Sequence, residues 1–479
     1  VRPKRIALHI GSNQWTYGEL DRMASETAAL LLSLGVQPGD RMAVLMLNSV
    51  EYVGVIFAAM RLGVVLVPLN ARLTKDELAY QVEKVGAKLL LCHSQTEEAA
   101  DPLSRPGLSV ISMTDTGSHS ALLKAQPSIK PREVNLNEAL AIVFTSGTSG
   151  KPKGAVLSYG AFYHSANASA YRLGTMPEDR WLCVLPLYHV GGLSILLRAV
   201  LYGISVDLFS NFDAEAVNYR LSMHPVTLIS LVPTMLHRLL AVREDALWSK
   251  LRCILLGGAA AAHDLILRAA DAGAPVATTY GLTEAASQVA TTFPGEAIAK
   301  PGTVGKPLLF THLRIIDSAG QDVPSGEIGE VVIKGLTLMS EYYGEPEATA
   351  QVLRGGELYT GDLGYLDEQG DLFIVQRRSD LIVSGGENVY PAEVEAILRQ
   401  YPGVQEVCVV GLPDEEWGQR VAAALTVKEG TARDPGPLLA FAREHLAGYK
   451  LPRRVLFVDA LPMTASGKIQ RSAVGDLFK

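Results

Sequence analysis

Cysteine is scarce in this sequence of 479 residues, which contains only four. Cys92, Cys183, Cys253 and Cys408 lie far apart and form no C-x-x-C pair. This spacing argues against a zinc site and against a disulfide framework. We therefore expect the protein to reside in a reducing compartment, the cytoplasm.

An excess of positive charge and a long apolar run are also lacking. The 43 lysines and arginines are outnumbered by 50 acidic residues, and the net charge is −7 at pH 7. This balance argues against a dedicated nucleic-acid surface. The most apolar segment, residues 193–209, is interrupted by Arg198 and Asp207 and is short for a bilayer span. We predict no nucleic-acid partner and no membrane insertion, and we leave self-association into a homo-oligomer open.

What is present is the composition of an ordinary globular protein, with 48% hydrophobic and 19% charged residues. As far as about residue 300, apolar runs alternate with amphipathic segments. Capping-box patterns at Thr16–Glu19 and Thr74–Glu77 indicate the starts of two helices. This alternation predicts an α/β fold of mainly parallel sheets covered by helices.

The pattern changes in the last third of the chain. Short apolar runs with frequent turns predict a small antiparallel β-barrel over residues 302–377. A segment of α+β character follows over residues 378–479. We therefore predict an N-terminal domain over residues 1–377, which includes the barrel, and a smaller C-terminal domain over residues 378–479.

A loop rich in glycine and hydroxyl groups directly follows an apolar run that predicts a buried strand, residues 139–144. Such a loop suits a polyphosphate, because glycine lets the backbone approach an anion while hydroxyls and lysines contact its oxygens. It is not the common P-loop, since Pro152 stands where that pattern requires Ser or Thr. Its candidate phosphate-binding residues are Thr145, Ser146, Gly147, Thr148, Ser149, Gly150 and Lys153.

Other polar or glycine-rich motifs also stand at the ends of predicted strands. Gly257-Gly258 follows one strand, and Tyr280-Gly281 follows another. Because ligands of open α/β sheets bind beyond the carboxyl ends of the strands, these motifs and the phosphate loop are expected to share one cleft.

Six motifs follow one another along the chain, at residues 145–154, 185–189, 280–284, 359–362, 377–395 and 466–468. Together they resemble the adenylate-forming superfamily, which includes acyl-CoA and aryl-CoA ligases. The resemblance extends over essentially the whole chain. It implies that a carboxylate attacks the α-phosphate of ATP and that the thiol of coenzyme A then displaces AMP, with Mg²⁺ as the metal.

The resemblance also implies roles for individual residues. Lys468, Thr283, Glu284 and His189 would be catalytic, and Glu284 would bind magnesium. Asp362 would accept hydrogen bonds from the ribose. The remaining assignments are Arg377 to the ribose or a phosphate, Gly257, Gly258, Tyr280 and Gly281 to the nucleotide site, Gly385 and Gly386 to the pantetheine arm, and His189 to the acid pocket. We also place Arg198 and Ser287 in the acid pocket. The hinge between the domains is expected at Ser379 or a neighbour.

Several of these residues also have a purely structural interpretation. Glu284 suits a helix start, and Asp362 suits a turn. Gly385 and Gly386 suit a β-turn, and Arg198 suits a buried ion pair.

Several segments are most similar to the o-succinylbenzoate-CoA ligases of menaquinone biosynthesis. They are residues 179–181, 185–192, 228–236 and 377–395. Arg198 adds a physical reason, because a guanidinium in an apolar helix needs an anion, and this substrate keeps a second carboxylate. The alternatives are a fatty-acid or aromatic-acid CoA ligase, a free-standing adenylation protein, and a nucleotide-binding regulator without catalysis.

Overall fold

The computed structural model describes residues 2–113, 129, 131–145, 151–242, 248–376, 381–428, 430–463 and 469–479. The strands in chain order are β1 Ile6–Ile10, β2 Asn13–Thr16, β3 Arg41–Leu45, β4 Val65–Pro68, β5 Leu89–Cys92, β6 Ser109–Ser112, β7 Ala139–Thr145, β8 Lys153–Ser158, β9 Arg180–Cys183, β10 Ser205–Leu208, β11 Leu228–Leu231, β12 Cys253–Leu256, β13 Val276–Leu282, β14 Ser287–Thr291, β15 Lys306–Pro307, β16 Thr311–Ile316, β17 Gly329–Gly335, β18 Glu341–Tyr342, β19 Leu353–Arg354, β20 Glu357–Leu366, β21 Leu372–Gln376, β22 Ile382–Ser384, β23 Glu387–Val389, β24 Val404–Asp414, β25 Gly418–Val427 and β26 Arg454–Phe457.

The α-helices in chain order are α1 Tyr17–Ser33, α2 Val50–Leu62, α3 Lys75–Lys84, α4 Ser94–Ala100, α5 Tyr159–Leu173, α6 Val190–Tyr202, α7 Ala214–Met223, α8 Pro233–Val242, α9 His263–Asp271, α10 Glu296–Ala299, α11 Pro346–Val352, α12 Pro391–Leu398, α13 Pro435–His445 and α14 Arg471–Asp476. Within the described ranges, no helix has both the length and the apolar character that a membrane crossing requires.

Two large sheets carry the predicted parallel pairing. The first has the order β15-β14-β13-β12-β11-β9-β10-β1-β2, and the second has the order β18-β8-β7-β4-β3-β5-β6. Pairing is parallel from β1 through β10, β9, β11 and β12 to β13, and antiparallel at both ends of that sheet. The central strands are buried along their whole length, as expected for a parallel sheet between helices.

The last third of the chain forms smaller sheets. Strands β16, β17, β20 and β19 pair in antiparallel order, and β21 extends this sheet at β20. Strands β23, β22, β25 and β24 form another sheet, to which β26 adds in parallel. The predicted fold class, helix-covered parallel sheets with an antiparallel barrel-like sheet and an α+β C-terminal segment, is confirmed.

The chain packs as two compact units. The first comprises residues 1–71, 82–143 and 154–375, and the second comprises residues 72–81, 144–153 and 376–479. The first contains the nine-stranded sheet, most of the seven-stranded sheet and a continuous apolar core in which Tyr52 and Trp181 are fully buried. The division into domains at residue 377 remains a prediction.

Both predicted capping boxes are present. The Thr16 backbone N–H donates to Glu19 Oε2 at 2.7 Å, and the Glu19 N–H donates to Thr16 Oγ1 at 3.2 Å. The same exchange joins Thr74 and Glu77, at 2.7 Å and 3.4 Å. These bonds satisfy N–H groups that have no partner within the first turn of a helix, so helices α1 and α3 begin where the sequence predicts.

Candidate active site

The first unit brings two predicted nucleotide motifs into contact. Tyr280 on β13 and Asp362 on β20 are 82 positions apart, yet the Tyr280 hydroxyl donates to Asp362 Oδ2 at 2.7 Å. The Asp362 N–H donates to Thr360 Oγ1 at 3.0 Å, and the Thr360 hydroxyl donates to the Val331 carbonyl at 2.6 Å. Tyr280 is fully buried and Asp362 nearly so. Stacking of the Tyr280 ring on adenine and a ribose contact of Asp362 remain predictions.

The turn between β13 and β14 carries Thr283 and Glu284, and its backbone is strained just after them. Thr283–Ala285 form a single 3-10 turn, after which Ala286 and Ser287 have φ values of 50° and 98°. Residues with a side chain rarely adopt such angles. Gly281 lies so close to the Ser287 carbonyl that a Cβ atom there would overlap it. Strained backbone of this kind persists where surrounding contacts hold it, and it is common at functional sites.

Glu284 is held by a residue that the sequence analysis did not single out. Its carboxylate accepts a hydrogen bond from the Tyr342 hydroxyl at 2.6 Å, and its carbonyl accepts one from the Met339 N–H at 2.8 Å. Tyr342 lies on β18, which pairs with β8. The only sequence signal for Tyr342 is its place in an aromatic turn segment before Pro346.

The surroundings of Glu284 suit a magnesium ion. Its second carboxylate oxygen forms no hydrogen bond with a described residue, so it is available to a cation. The described ranges contain no cluster of three or more His, Cys, Asp or Glu side chains that could hold a metal alone. Magnesium fits such a site, because it is commonly bound by one or two carboxylates together with phosphate oxygens and water.

His189 stands at the start of helix α6, at the end of a loop fixed by Asn48. The Asn48 side chain donates to the Leu185 carbonyl at 3.0 Å and accepts from the Leu187 N–H at 2.8 Å. The His189 ring contacts the Tyr188 ring edge to face, with centroids 4.7 Å apart. The loop therefore has a defined shape. Sequence reasoning missed Asn48, which lies 137 positions before Leu185.

Arg198 is buried on helix α6 with a residue exposure of 2%. Its guanidinium carbon lies 5.8 Å from the centre of the Trp181 ring, and its Nη2 donates to Ser165 Oγ at 3.4 Å. Among the described residues no carboxylate forms an ion pair with it, and its Nε has no hydrogen-bond partner. Burial lowers the pKa of this guanidinium. A structural ion pair, the alternative drawn from the sequence, is thus not formed by any described carboxylate.

The second unit contains the predicted glycine turn and a basic cavity. Gly385 and Gly386 join β22 to β23 with φ values of 59° and 86°, and a Cβ on Gly385 would lie 2.6 Å from the Trp417 ring. Both glycines are thus required by the turn itself. A cavity of about 410 Å³ is lined by Arg72, Ser384, Trp417, Arg420, Val421, Gly448, Tyr449 and Arg453. Three guanidinium groups and two aromatic rings suit a phosphorylated nucleotide.

The remaining predicted site residues divide into described and undescribed ones. Thr145 ends β7 and Lys153 begins β8, while Gly257 and Gly258 follow β12 and Ser287 begins β14. Residues 146–150, Arg377, Ser379 and Lys468 lie outside the described residues. The predicted roles of all these residues remain predictions.

Family models match most of the chain. Residues 1–343 match the model of the AMP-binding enzyme family, and residues 393–468 match that of the AMP-binding enzyme C-terminal domain. A 2-succinylbenzoate–CoA ligase of Geobacillus kaustophilus is 42% identical over 472 residues, which cover 98% of this chain and 94% of that protein.

Solved structures are similar to this chain over almost its whole length. A double mutant of the o-succinylbenzoate coenzyme A synthetase of Bacillus subtilis, bound to a product analogue, has a TM-score of 0.92 at 37% identity, with 99% of this chain and 96% of that chain covered. The same Bacillus enzyme in complex with ATP and a magnesium ion has a TM-score of 0.74 at 37% identity, with 98% and 97% covered.

Proposed function

The chain belongs to the AMP-binding enzyme family, and from this premise we propose that it converts o-succinylbenzoate, ATP and coenzyme A into o-succinylbenzoyl-CoA, AMP and pyrophosphate. It is an AMP-forming acid–thiol ligase, and its product serves menaquinone biosynthesis. The observation that carries the choice of acid is Arg198, a buried cation without a described carboxylate partner. The substrate keeps a ring carboxylate after its aliphatic carboxylate has reacted, and this group would pair with Arg198.

The chemistry has two steps. An oxygen of the aliphatic carboxylate attacks the α-phosphorus of ATP, the bond to the β-phosphate oxygen breaks, and pyrophosphate leaves. The thiol of coenzyme A, which loses its proton, then attacks the acyl carbon, and AMP leaves. Magnesium bound at Glu284 would neutralise phosphate charge, while Asp362 would orient the ribose. His189 would line the entrance for the acid, and Lys468 would contact the oxygens that gain charge in the first step.

Pyrophosphate release with a panel of acids tests this proposal. The panel contains o-succinylbenzoate, 4-oxo-4-phenylbutanoate, benzoate and a medium-chain fatty acid, each with and without coenzyme A. We expect o-succinylbenzoate to be used with the highest kcat/KM and a thioester to form only with coenzyme A. Faster turnover of benzoate or of the fatty acid would contradict the assignment of the acid.

Tyr342→Phe is expected to raise the magnesium concentration that gives half-maximal adenylation. Loss of the 2.6 Å hydrogen bond frees the Glu284 carboxylate to rotate, and such a bond to a charged group contributes about 1.5–3 kcal/mol. We therefore expect a change of roughly tenfold. Manganese binding to the enzyme–ATP complex, followed by electron paramagnetic resonance, measures the same change without catalysis. Tyr343→Phe, the half-buried neighbour, is the control, and an equal effect of both variants would contradict the role of Tyr342.

The cavity of the second unit is our proposed site for the phosphates and adenine of coenzyme A. Arg72 lies 5.1 Å from the centre of the Tyr449 ring and 3.3 Å from Glu387, whereas Arg453 has no described carboxylate partner. The Arg453 guanidinium is exposed and donates only a long hydrogen bond, 3.4 Å, to the Gly448 carbonyl among the described residues, so it is available to a phosphate. This cavity therefore supports coenzyme A as the thiol substrate.

Arg453→Ala is expected to raise the KM for coenzyme A about fivefold, since a charge pair near a protein surface contributes about 1 kcal/mol. Pyrophosphate release without coenzyme A is expected to stay unchanged. Arg454→Ala removes the adjacent arginine, which lies 5.4 Å from the centre of the Phe478 ring, and serves as the matched control. A KM for coenzyme A that does not respond to Arg453→Ala would place the nucleotide elsewhere.

The cysteines support a cytoplasmic location. All four are buried free thiols, and burial raises the pKa of Cys92 and Cys408 to about 11. Thiols that remain protonated and buried are unreactive, and such unpaired cysteines are usual in a reducing compartment.

A further inference from the structure

Two hydrogen bonds connect Arg198 to the strained turn that carries Thr283 and Glu284. Arg198 Nη2 on helix α6 donates to Ser165 Oγ on helix α5 at 3.4 Å. The Ser165 hydroxyl in turn donates to the Ala286 carbonyl at 2.8 Å, across 121 positions of the chain. Ser165 has an exposure of 2% and Ala286 is fully buried, so water does not replace either bond.

A hydrogen bond to the Ala286 carbonyl affects the conformation of this turn. Ala286 and the following Ser287 both have positive φ values, so their backbone needs outside contacts to keep its shape. Ser165 supplies a side-chain contact of this kind. Because a hydroxyl that accepts from a cation becomes a stronger donor, the position of Arg198 affects the strength of the bond to Ala286.

We propose that Ser165 is a positioning residue, which couples binding of the free ring carboxylate at Arg198 to the placement of Thr283 and Glu284. The inference rests on the proposed function, in which Arg198 binds that carboxylate. An acid that pairs with Arg198 fixes the guanidinium, and the guanidinium fixes the Ser165 hydroxyl against the Ala286 carbonyl. An acid without this carboxylate leaves the turn less well ordered, so it reacts more slowly even when it is bound.

Helix α5 offers a matched control for Ser165. Ser169 lies one turn further along the same helix and is equally buried, with an exposure of 1%. Ser169→Ala therefore removes a buried hydroxyl of the same type without removing the bond to Ala286.

The test compares two acids in pyrophosphate release, o-succinylbenzoate and 4-oxo-4-phenylbutanoate, which lacks only the ring carboxylate. With Ser165→Ala we expect kcat for o-succinylbenzoate to fall roughly tenfold and its KM to change less, since one buried hydrogen bond is lost. The kcat for the second acid is expected to change less than threefold. Ser169→Ala is expected to leave both acids within twofold of the wild type, and Ser165→Thr, which keeps the hydroxyl, to restore activity with o-succinylbenzoate.

An equal fall of kcat for both acids with Ser165→Ala would overturn the inference, because it would show that Ser165 only supports the fold. If Ser165→Ala does not fold, Ser165→Cys is judged by the same comparison, since it keeps the volume and replaces the hydroxyl with a weak donor. If the wild-type enzyme itself uses both acids equally well, the proposed choice of acid fails. If it prefers o-succinylbenzoate and Ser165→Ala keeps the full preference in kcat, only the role of Ser165 fails.

Discussion

The Arg198→Met enzyme is expected to lose about a hundredfold or more in kcat/KM for o-succinylbenzoate. Removing one partner of a buried, hydrogen-bonded charge pair costs about 2–5 kcal/mol, which is a factor of roughly 30 to several thousand. The ring carboxylate would enter a site lined by Trp181 and the apolar face of α6 with no cation to receive it. Activity with 4-oxo-4-phenylbutanoate is expected to change little, because that acid has no group for Arg198 to bind.

Thermal unfolding of Arg198→Met distinguishes a role of Arg198 in substrate binding from a role in stabilising the fold. If Arg198 belonged to a buried ion pair, breaking it would destabilise the fold by about 3–5 kcal/mol. Arg198 has no described carboxylate partner, and burial already disfavours its charge. Methionine is apolar and adaptable in shape, so we expect the unfolding midpoint of Arg198→Met to stay the same or to rise.

Ligand-dependent stability and Arg198→Lys complete the test. o-Succinylbenzoate should raise the unfolding midpoint of the wild type by preferential binding to the native state, and it should have a much smaller effect on Arg198→Met. Lysine keeps the charge without the planar fork, so Arg198→Lys is expected to retain part of the activity. An unchanged KM and kcat in Arg198→Met would remove Arg198 from the acid pocket. A large drop in the unfolding midpoint would identify it as structural.

The sequence predicts the parallel core well because each buried strand is a short apolar run between turn signals. Strand β10, Ser205–Leu208, is such an apolar run, and helix α6 ends at Tyr202, directly before Gly203, whose φ of 67° closes the helix. Strand β20 is harder to predict, because Gly361 and Asp362 interrupt the apolar pattern of a strand that begins at Glu357. Helix α5 escaped prediction because its many alanines and serines give a weak periodicity.

The candidate site is predicted only in part, since its motifs are local in sequence but their supports are not. The motif that contains Thr283 and Glu284 is contiguous, whereas Tyr342 reaches Glu284 across 58 positions. Ser165 and Asn48 act over still longer separations, 121 positions to Ala286 and 137 positions to Leu185, through hydrogen bonds of their side chains. The sequence around a buried serine on a helix, or around an asparagine that precedes a helix, does not indicate which distant residue its side chain will bond. Only the paired strands and packed helices bring these groups together.

Lys468→Ala is expected to reduce adenylate formation by about 10²–10³-fold and to leave thioester formation from supplied o-succinylbenzoyl-adenylate within a few-fold of the wild type. In the first step a carboxylate approaches a polyanion, and negative charge is redistributed over the oxygens of the α-phosphate and of the carboxylate. A lysine at those oxygens acts as a point charge that stabilises the transition state more than the ground state. In the second step the carboxylate is already bonded to the α-phosphate as the adenylate, so the same cation contributes much less.

Lys468 lies outside the described residues, so its expected role in the first step alone follows from the Ser466-Gly467-Lys468 motif. The prediction is tested by measuring the two half-reactions separately. Single-turnover pyrophosphate release reports the first, and thioester formation from the adenylate reports the second. Lys479→Ala is the matched control, because this nearby lysine is 82% exposed at its side chain and pairs with Asp476 at 2.7 Å. Equal losses in both half-reactions of Lys468→Ala would show that the lysine supports the whole catalytic arrangement. Loss of the first alone would assign it to the charge that develops around the α-phosphate.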